Sequence, residues 1–471
     1  MNSSIGTPVG ASATAAERSL KPAATQAEER RASLLRQLLP AGQSPPTPLS
    51  FAQERLWFLD QLEPNSPLYN MLSVARLTGT LHRAAFEQSV AAILARHESL
   101  RTRFLCLDGE PFQVIDAAAN FTVPCVDLAD RNEPERETEL QRLLRAEASR
   151  PFNLSTDRLL RVTLVRLRPQ EHVLLLTMHH IISDEWSFGI FFRELGTCYA
   201  GLVEGTPPSL PDLPLQYRDY ACWQRDWLQG EGRQLRFWKE QLSGNPAPTE
   251  LPMDHPRPSH SSSPGAVQRR ELPPALMDGL KRLAQKERAT LFMVLLAGFQ
   301  ALLYRYTQQE DILVGSPMTG RNRLELEELI GFFVNTLPLR TRVSGDQSFL
   351  QLLAQARRVS LDAYSHQDLP FEKLVAELHP ERSAHLMPFV RLMFLVQSGV
   401  TQPPVLPGLQ LEFLDPEAGR AKFDLLLAVH ETPEGLVAAA QYNAELFEAA
   451  TVARLLEHYE RLLAGAVAQP T

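Results

Sequence analysis

Residues 174–187, Leu-Leu-Leu-Thr-Met-His-His-Ile-Ile-Ser-Asp-Glu-Trp-Ser, set an unbroken apolar run directly before two histidines and an acidic turn. Such a run reads as a buried strand, which places His179 and His180 where that strand ends. Adjacent residues on an extended backbone face opposite ways. One imidazole can therefore open into a cleft, while the other must find its hydrogen bonds inside the protein. Neighbouring histidines are a poor chelate, and no HExxH or CxxC pattern stands nearby, so no metal site is expected. A lone buried histidine is usually structural. Asp184, four residues after His180, makes this cluster look arranged, since a carboxylate there can orient the turn or pair with a distant arginine.

The 471 residues, 44% of them hydrophobic, suffice for two domains or two lobes of one larger unit. The 47 basic and 55 acidic residues leave a net charge of −8 with no basic block, which argues against nucleic acid and anionic membrane as partners. Cys106, Cys125, Cys198 and Cys222 show no paired spacing. They read as small core residues of a reducing compartment, and the cytoplasm is the expected location. No apolar stretch reaches the roughly 18 to 20 residues that span a bilayer, and the amino terminus has no apolar signal core.

Residues 1–45 read as a leader with a short amphipathic helix around Ala27–Leu39, stopped by the breaker run Ser44–Pro48. An N-terminal lobe is expected over 46–243 and a C-terminal lobe over 266–471. The Pro/Ser-rich stretch 244–265 between them, with Pro246, Pro248, Pro252, Pro256, Pro258 and Pro264, reads as a connector. Helical periodicity covers Arg83–Arg96, Glu135–Ser149, Phe188–Val203 and Gln234–Leu242, then Pro274–Glu287, Leu291–Tyr306, Ser348–Ser365, Phe371–Leu378 and Ala449–Leu463. Strands are expected near Phe104–Leu107 and within Arg161–Met178, and at Asp311–Gly315, Val390–Gln397, Leu409–Phe413, Asp424–His430 and Gly435–Tyr442. This is an α/β chain without a repeat. Thr290 and Ser187 are the candidate N-caps of the helices that follow them, and Trp57, Trp223 and Trp238 read as core.

Seven stretches, in order, resemble the core motifs of nonribosomal peptide synthetase condensation domains. They are Ser50–Leu59, Arg96–Phe104, His179–Asp184 as the HHxxxD motif, Tyr217–Gln224, Ile330–Arg340, His366–Glu372 and Met387–Phe394. The resemblance covers about residue 46 to the end and implies two lobes like chloramphenicol acetyltransferase, forming a V with a central tunnel. It further implies that the domain binds no cofactor itself. Upstream donor and downstream acceptor carrier proteins would each insert a phosphopantetheine arm into the tunnel, and a neighbouring adenylation domain would load the acceptor. The implied reaction joins the donor thioester to the acceptor amine as an amide, with His180 as the active-site histidine. Physically, an imidazole at neutral pH can take the proton of an attacking amine or stabilise the tetrahedral species, and the sequence leaves both roles open. The resemblance makes His179 a supporting residue and Asp184 a structural aspartate whose expected partner is Arg321. Asn335 could donate to a substrate carbonyl or satisfy backbone. Trp186 and Ser187 are placed along the tunnel.

The chain departs from the family pattern at Glu185, where Gly usually follows the aspartate. Glycine would permit a positive φ or a close approach to substrate, and glutamate instead adds a titratable group beside His180. A surface-pointing Glu in a tolerant turn is the structural alternative. As a catalytic group, Glu185 with His180 could remove an α-proton next to a thioester carbonyl and help a β-hydroxyl leave. That pattern resembles the condensation subtype that dehydrates Ser- or Thr-derived residues to dehydroamino acids. A plain amide-forming domain shares every motif. A noncatalytic recruitment domain typically lacks the second histidine, heterocyclisation domains carry Asp in place of the histidines, and no GxSxG elbow supports a hydrolase.

Overall fold

A computed structural model describes residues 45–118, 121–206, 209–228, 230, 232–244, 246–258, 263–378, 390–397, 404–414 and 420–471. The leader helix expected around 27–39, and residues 387–389 of the last motif, lie outside them. The strands are β1 (Thr47–Pro48), β2 (Asn70–Gly79), β3 (Thr102–Leu107), β4 (Glu110–Ile115), β5 (Cys125–Asp127), β6 (Leu160–Arg168), β7 (Glu171–His179), β8 (Gly265–Leu272), β9 (Asp311–Met318), β10 (Asn335–Arg342), β11 (Leu392–Gln397), β12 (Leu409–Leu414), β13 (Leu425–Thr432) and β14 (Gly435–Asn443). The helices are α1 (Phe51–Leu62), α2 (Arg83–Arg96), α3 (Glu133–Ser149), α4 (Glu185–Val203), α5 (Tyr217–Leu228), α6 (Gly232–Gln241), α7 (Pro274–Lys286), α8 (Leu291–Thr307), α9 (Leu324–Glu327), α10 (Phe349–Tyr364), α11 (Phe371–Leu378) and α12 (Ala449–Ala468).

Two main sheets organise the chain, one ordered β12-β2-β7-β6-β5 and the other β10-β9-β11-β13-β14-β8, beside a small sheet β1-β4-β3. In the first, β6 and β7 form an antiparallel hairpin, with Leu164 opposite Leu174. The apolar run of β7 is buried on both faces. Leu174, Leu176 and Met178 enter the larger N-terminal core, while Val173 and Leu175 pack with Leu140 of α3 on the other side. A strand covered on both faces needs no polar alternation, which is why the sequence reads as a continuous run. The second sheet mixes parallel pairs, β11 with β9 and β13, with antiparallel ones. It supports the large C-terminal core beneath α7, α8, α10 and α12. Helix α8 starts at a capping box in which the Thr290 hydroxyl accepts from the Met293 N–H, so Thr290 is the N-cap.

The expected boundary at 243–244 does not separate the two cores. Trp238 and Leu242 belong to the C-terminal core, whereas Ile330, Phe332, Leu406 and Leu411 belong to the N-terminal one. Strand β12 leaves the C-terminal half to pair with β2, Leu411 lying opposite Leu77. The Pro-rich connector is itself packed: Thr249 is fully buried and its hydroxyl accepts from the Leu313 N–H at 2.8 Å.

Candidate active site

β7 ends at His179, and a single turn of 3₁₀ helix, His180–Ile182, leads to Asp184, the N-cap of α4. This corrects the expectation that Ser187 caps a helix starting at Phe188. The Asp184 carboxylate accepts from the Ser187 N–H at 2.9 Å, and the Ser187 hydroxyl reciprocates toward the Asp184 backbone N–H at 3.2 Å. Asp plus Ser at N3 completes a capping box one turn earlier than the apolar periodicity suggests. Glu185 is thus the first helical residue, without a positive φ, so the backbone at this position does not require glycine.

The two histidines do face apart. His179 is buried between the rings of Tyr69 and Phe152, at 6.3 and 6.1 Å, and its Nδ1 accepts from the Ile181 N–H at 3.2 Å. Burial pushes it down to about 3, leaving a neutral ring with its proton on Nε2. His180 carries the other tautomer. Its Nδ1–H donates to the Ser183 carbonyl at 2.7 Å, and its ring lies 4.5 Å from Phe332. Burial holds its pKa well below the ordinary histidine value, so the ring is neutral at pH 7. Among the described residues nothing hydrogen-bonds its Nε2, whose lone pair is free to accept a proton.

Asp184 is held by the opposite half of the chain. Arg321 Nη2 donates to Oδ1 at 3.0 Å and Oδ2 at 3.2 Å, and the Phe333 N–H donates to Oδ2 at 3.2 Å. Arg321 also donates Nη1 to the carbonyls of Leu326 and Leu329, both at 2.6 Å, and lies over the Phe333 ring at 4.1 Å. Ser187, expected along the tunnel, is fully buried in this network instead. Its hydroxyl bonds Asp184 Oδ1 at 2.7 Å and accepts from the Gly331 N–H at 3.1 Å, because the cap draws it inward. Trp186 reaches across to the Glu327 carbonyl at 2.9 Å and stays 46% exposed. Asn335 donates both amide protons to the carbonyls of Gln367 and Leu369, at 2.7 and 2.8 Å, while its oxygen accepts from the Thr336 and Phe371 N–H groups. That geometry fills the backbone-satisfying role and leaves no donor for a substrate carbonyl.

Glu185 is exposed at the start of α4. Desolvation raises its pKa, the charge of Asp184 adds to the rise, and Lys422 opposes it. Lys422 is a residue that the sequence pattern does not single out. It stands in the short segment before β13, and its positive charge reaches His179, His180 and Glu185 alike. Tyr69 carries no sequence signal for the site either, whereas Tyr217 and Phe332 fall inside two of the motif stretches without a site role being assigned to them. The Tyr217 hydroxyl donates to the Phe332 carbonyl at 2.6 Å and meets Ser50 Oγ at 2.9 Å, which ties α1 and α5 to the segment over His180. Trp238 is core, 1% exposed, whereas Trp57 is half-buried and Trp223 stacks on Trp227 at 5.7 Å beneath Arg323. Among the described residues no three His, Cys, Asp or Glu side chains converge as a metal site, and no single helix is long and apolar enough to cross a membrane.

Comparison with known proteins gives one answer. The family model of the condensation domain matches residues 44–471. A component of the linear gramicidin synthase of Brevibacillus parabrevis is 48% identical over 437 residues, which is 92% of this chain and 6% of that protein. The chain therefore spans only a small part of the length of that relative. The crystal structure of the X-domain from teicoplanin biosynthesis superposes with a TM-score of 0.83 at 29% identity, over 90% of this chain and 95% of that one. The first condensation domain of the calcium-dependent antibiotic synthetase, with a substrate analogue, gives 0.75 at 24% identity over 91% and 98%. The two main sheets are thus the paired acetyltransferase-like lobes of that fold.

Proposed function

The chain belongs to the condensation domain family of nonribosomal peptide synthetases, and from that premise we propose that it joins two carrier-bound thioesters as an amide and then removes water from the product. The acceptor amine attacks the donor thioester, the C–N bond forms and the C–S bond breaks. His180 takes the amine proton on Nε2, the one ring nitrogen left with a free lone pair. The phosphopantetheine arms belong to the upstream and downstream carriers, with an adenylation domain loading the acceptor, and the domain adds no cofactor of its own. The second step needs a base at the α-carbon of a Ser- or Thr-derived residue, where the thioester carbonyl acidifies the proton.

Glu185 supplies that base. The feature that supports this reading is position: Glu185 is the first residue of α4, directly after the Asp184 cap that ends the His180 turn, and the pKa of its carboxyl is raised by desolvation and by Asp184. Its raised pKa makes the carboxylate a stronger base than an ordinary glutamate. The test is intact-protein mass spectrometry of a downstream carrier loaded with Ser, after reaction with a donor carrier. The expected product has lost one water. Glu185→Gly is expected to shift the product to the full mass of the hydroxylated amide. A wild-type product that keeps the full hydroxylated mass refutes the dehydration, and the domain is then a plain amide-forming one.

A further inference from the structure

We propose that Lys422 is a catalytic residue of this elimination, giving the proton with which the β-hydroxyl leaves while Glu185 takes the α-proton. The inference rests on the dehydration reading and adds the acid that such a reaction requires. Hydroxide is a poor leaving group, and a base alone does not remove it. His179 and His180 are neutral and have no acidic proton to give at pH 7. Among the described residues, the ammonium whose charge acts on the pair and on Glu185 belongs to Lys422.

Its position is fixed from both sides. The Ala421 N–H donates to the Ser263 carbonyl at 2.8 Å, the Asp424 N–H donates to the Arg391 carbonyl at 3.1 Å, and Arg257 holds the Asp424 carboxylate at 3.0 Å. Between these anchors Lys422 points its Nζ at the face of Tyr69, 5.6 Å from the ring centroid. The carbonyl of the same tyrosine accepts the His180 N–H at 2.8 Å, and its ring borders His179. Among the described residues no carboxylate forms an ion pair with Nζ, and the Tyr69 ring it sits over borders His179. The charged and titratable groups around it are Glu185 at the start of α4, His179 at the end of β7 and His180 in the turn after it, Tyr69 before β2, Arg161 of β6 behind His179, and Arg55, Glu63 and Glu372, whose charges reach Tyr69. Partial burial brings the lysine down to about 8, against the opposing pull of Glu185, and so makes its proton transferable near neutrality.

The step balances. The Cα–H bond breaks with its proton going to the Glu185 carboxylate, and its electron pair becomes the second Cα–Cβ bond. The Cβ–O bond breaks with its pair on oxygen, which takes the Lys422 proton and departs as water. One proton passing from the Glu185 acid to the Lys422 amine, directly or through water, restores both groups.

The experiment follows the fraction of amide product that has lost water on the Ser-loaded carrier, for wild type, Lys422→Arg and Lys422→Met. Arginine keeps the charge and the contact with the Tyr69 ring but does not give up its proton. Both variants are expected to lower the dehydrated-to-hydroxylated ratio about 100-fold or more, the usual scale of a general acid. Wild type is also expected to lose dehydration as pH rises through about 8, because the lysine is then deprotonated. That profile needs no folded variant. Dehydration by Lys422→Arg at the wild-type ratio, or a wild-type fraction unchanged well above that pH, overturns the role of Lys422 and leaves Glu185 standing. Wild type that gives only the hydroxylated amide overturns the dehydration reading itself.

Discussion

At the scale of single residues, Asp184 is fully committed. Its oxygens accept from the Ser187 N–H and hydroxyl, from Arg321 and from the Phe333 N–H, at zero exposure. No lone pair remains for proton transfer to substrate. Asp184→Asn would leave the Arg321 charge buried without its counter-charge, a loss on the order of 3–5 kcal/mol. Guanidinium chloride melts should show that loss as a lower midpoint, with Arg321→Ala falling by a similar amount. An Asp184→Asn protein of wild-type stability but without turnover would instead make the aspartate a chemical group. Much of this is legible in the sequence: a strand end predicts two histidines facing apart, a carboxylate beside them predicts a turn cap or an arginine pair, and the family resemblance names Arg321 as the partner. Ser187 is misplaced by pattern alone because a serine before an apolar helical face looks like a cap, whereas Asp184 already caps the helix. Lys422 has no signal at all, since a single lysine before a strand looks like any solvated surface residue until the fold brings it to Tyr69.

At the scale of elements, the existence of most helices and strands follows from periodicity, but their partners do not. Leu409–Phe413 reads as a strand, yet nothing local says that it leaves its own half to pair with β2. The same holds for β2 itself, whose polar residues Asn70, Ser73 and Arg76 interrupt the apolar pattern and hide the strand. The join depends on Gly79, which has φ +128° and whose missing Cβ would stand 2.1 Å from the Gly408 carbonyl oxygen. Gly79→Ala must therefore push β12 away from β2 as well as strain the backbone, costing about 1–3 kcal/mol. Hydrogen exchange should show faster exchange along Leu409–Leu414 with the β6–β7 hairpin unchanged. Gly109→Ala is the control for backbone strain alone, because Gly109 also has a positive φ but no atom within 4 Å of its Cβ position. Equal effects of the two substitutions would remove the steric argument. Glu185 also has an element-scale role, since an acidic residue in a first helical turn stabilises the helix by roughly 0.3–1 kcal/mol. A measured stability loss in Glu185→Gly is therefore no argument against its chemistry.

At the scale of the whole molecule, the two lobes are built from each other's residues, and this sets how the protein unfolds. The N-terminal core contains Ile330, Phe332, Leu406 and Leu411, and the C-terminal core contains Trp238 and Leu242. Polar ties also join the two halves of the sequence: Arg55 to Glu372 at 3.1 Å, Ser99 Oγ to the Ile330 carbonyl at 2.7 Å, and Trp238 Nε1 to the His366 carbonyl at 2.8 Å. A fragment of residues 45–243 would expose the edge of β2 where β12 belongs, leave Asp184 buried without Arg321, and open the core beside Phe191 and Phe192. Unpaired edges and unpaired buried charges each oppose folding. The fragment is expected to bind a hydrophobic dye and melt without a sharp transition, while the full chain melts as one unit. Mixing it with the remaining residues should restore a sharp transition, because each piece supplies the side chains the other lacks. A fragment that melts cooperatively alone would mean that the polar ties join two independent domains. The pairing of Asp184 with Arg321 beside the His180 turn would then depend on docking rather than on folding.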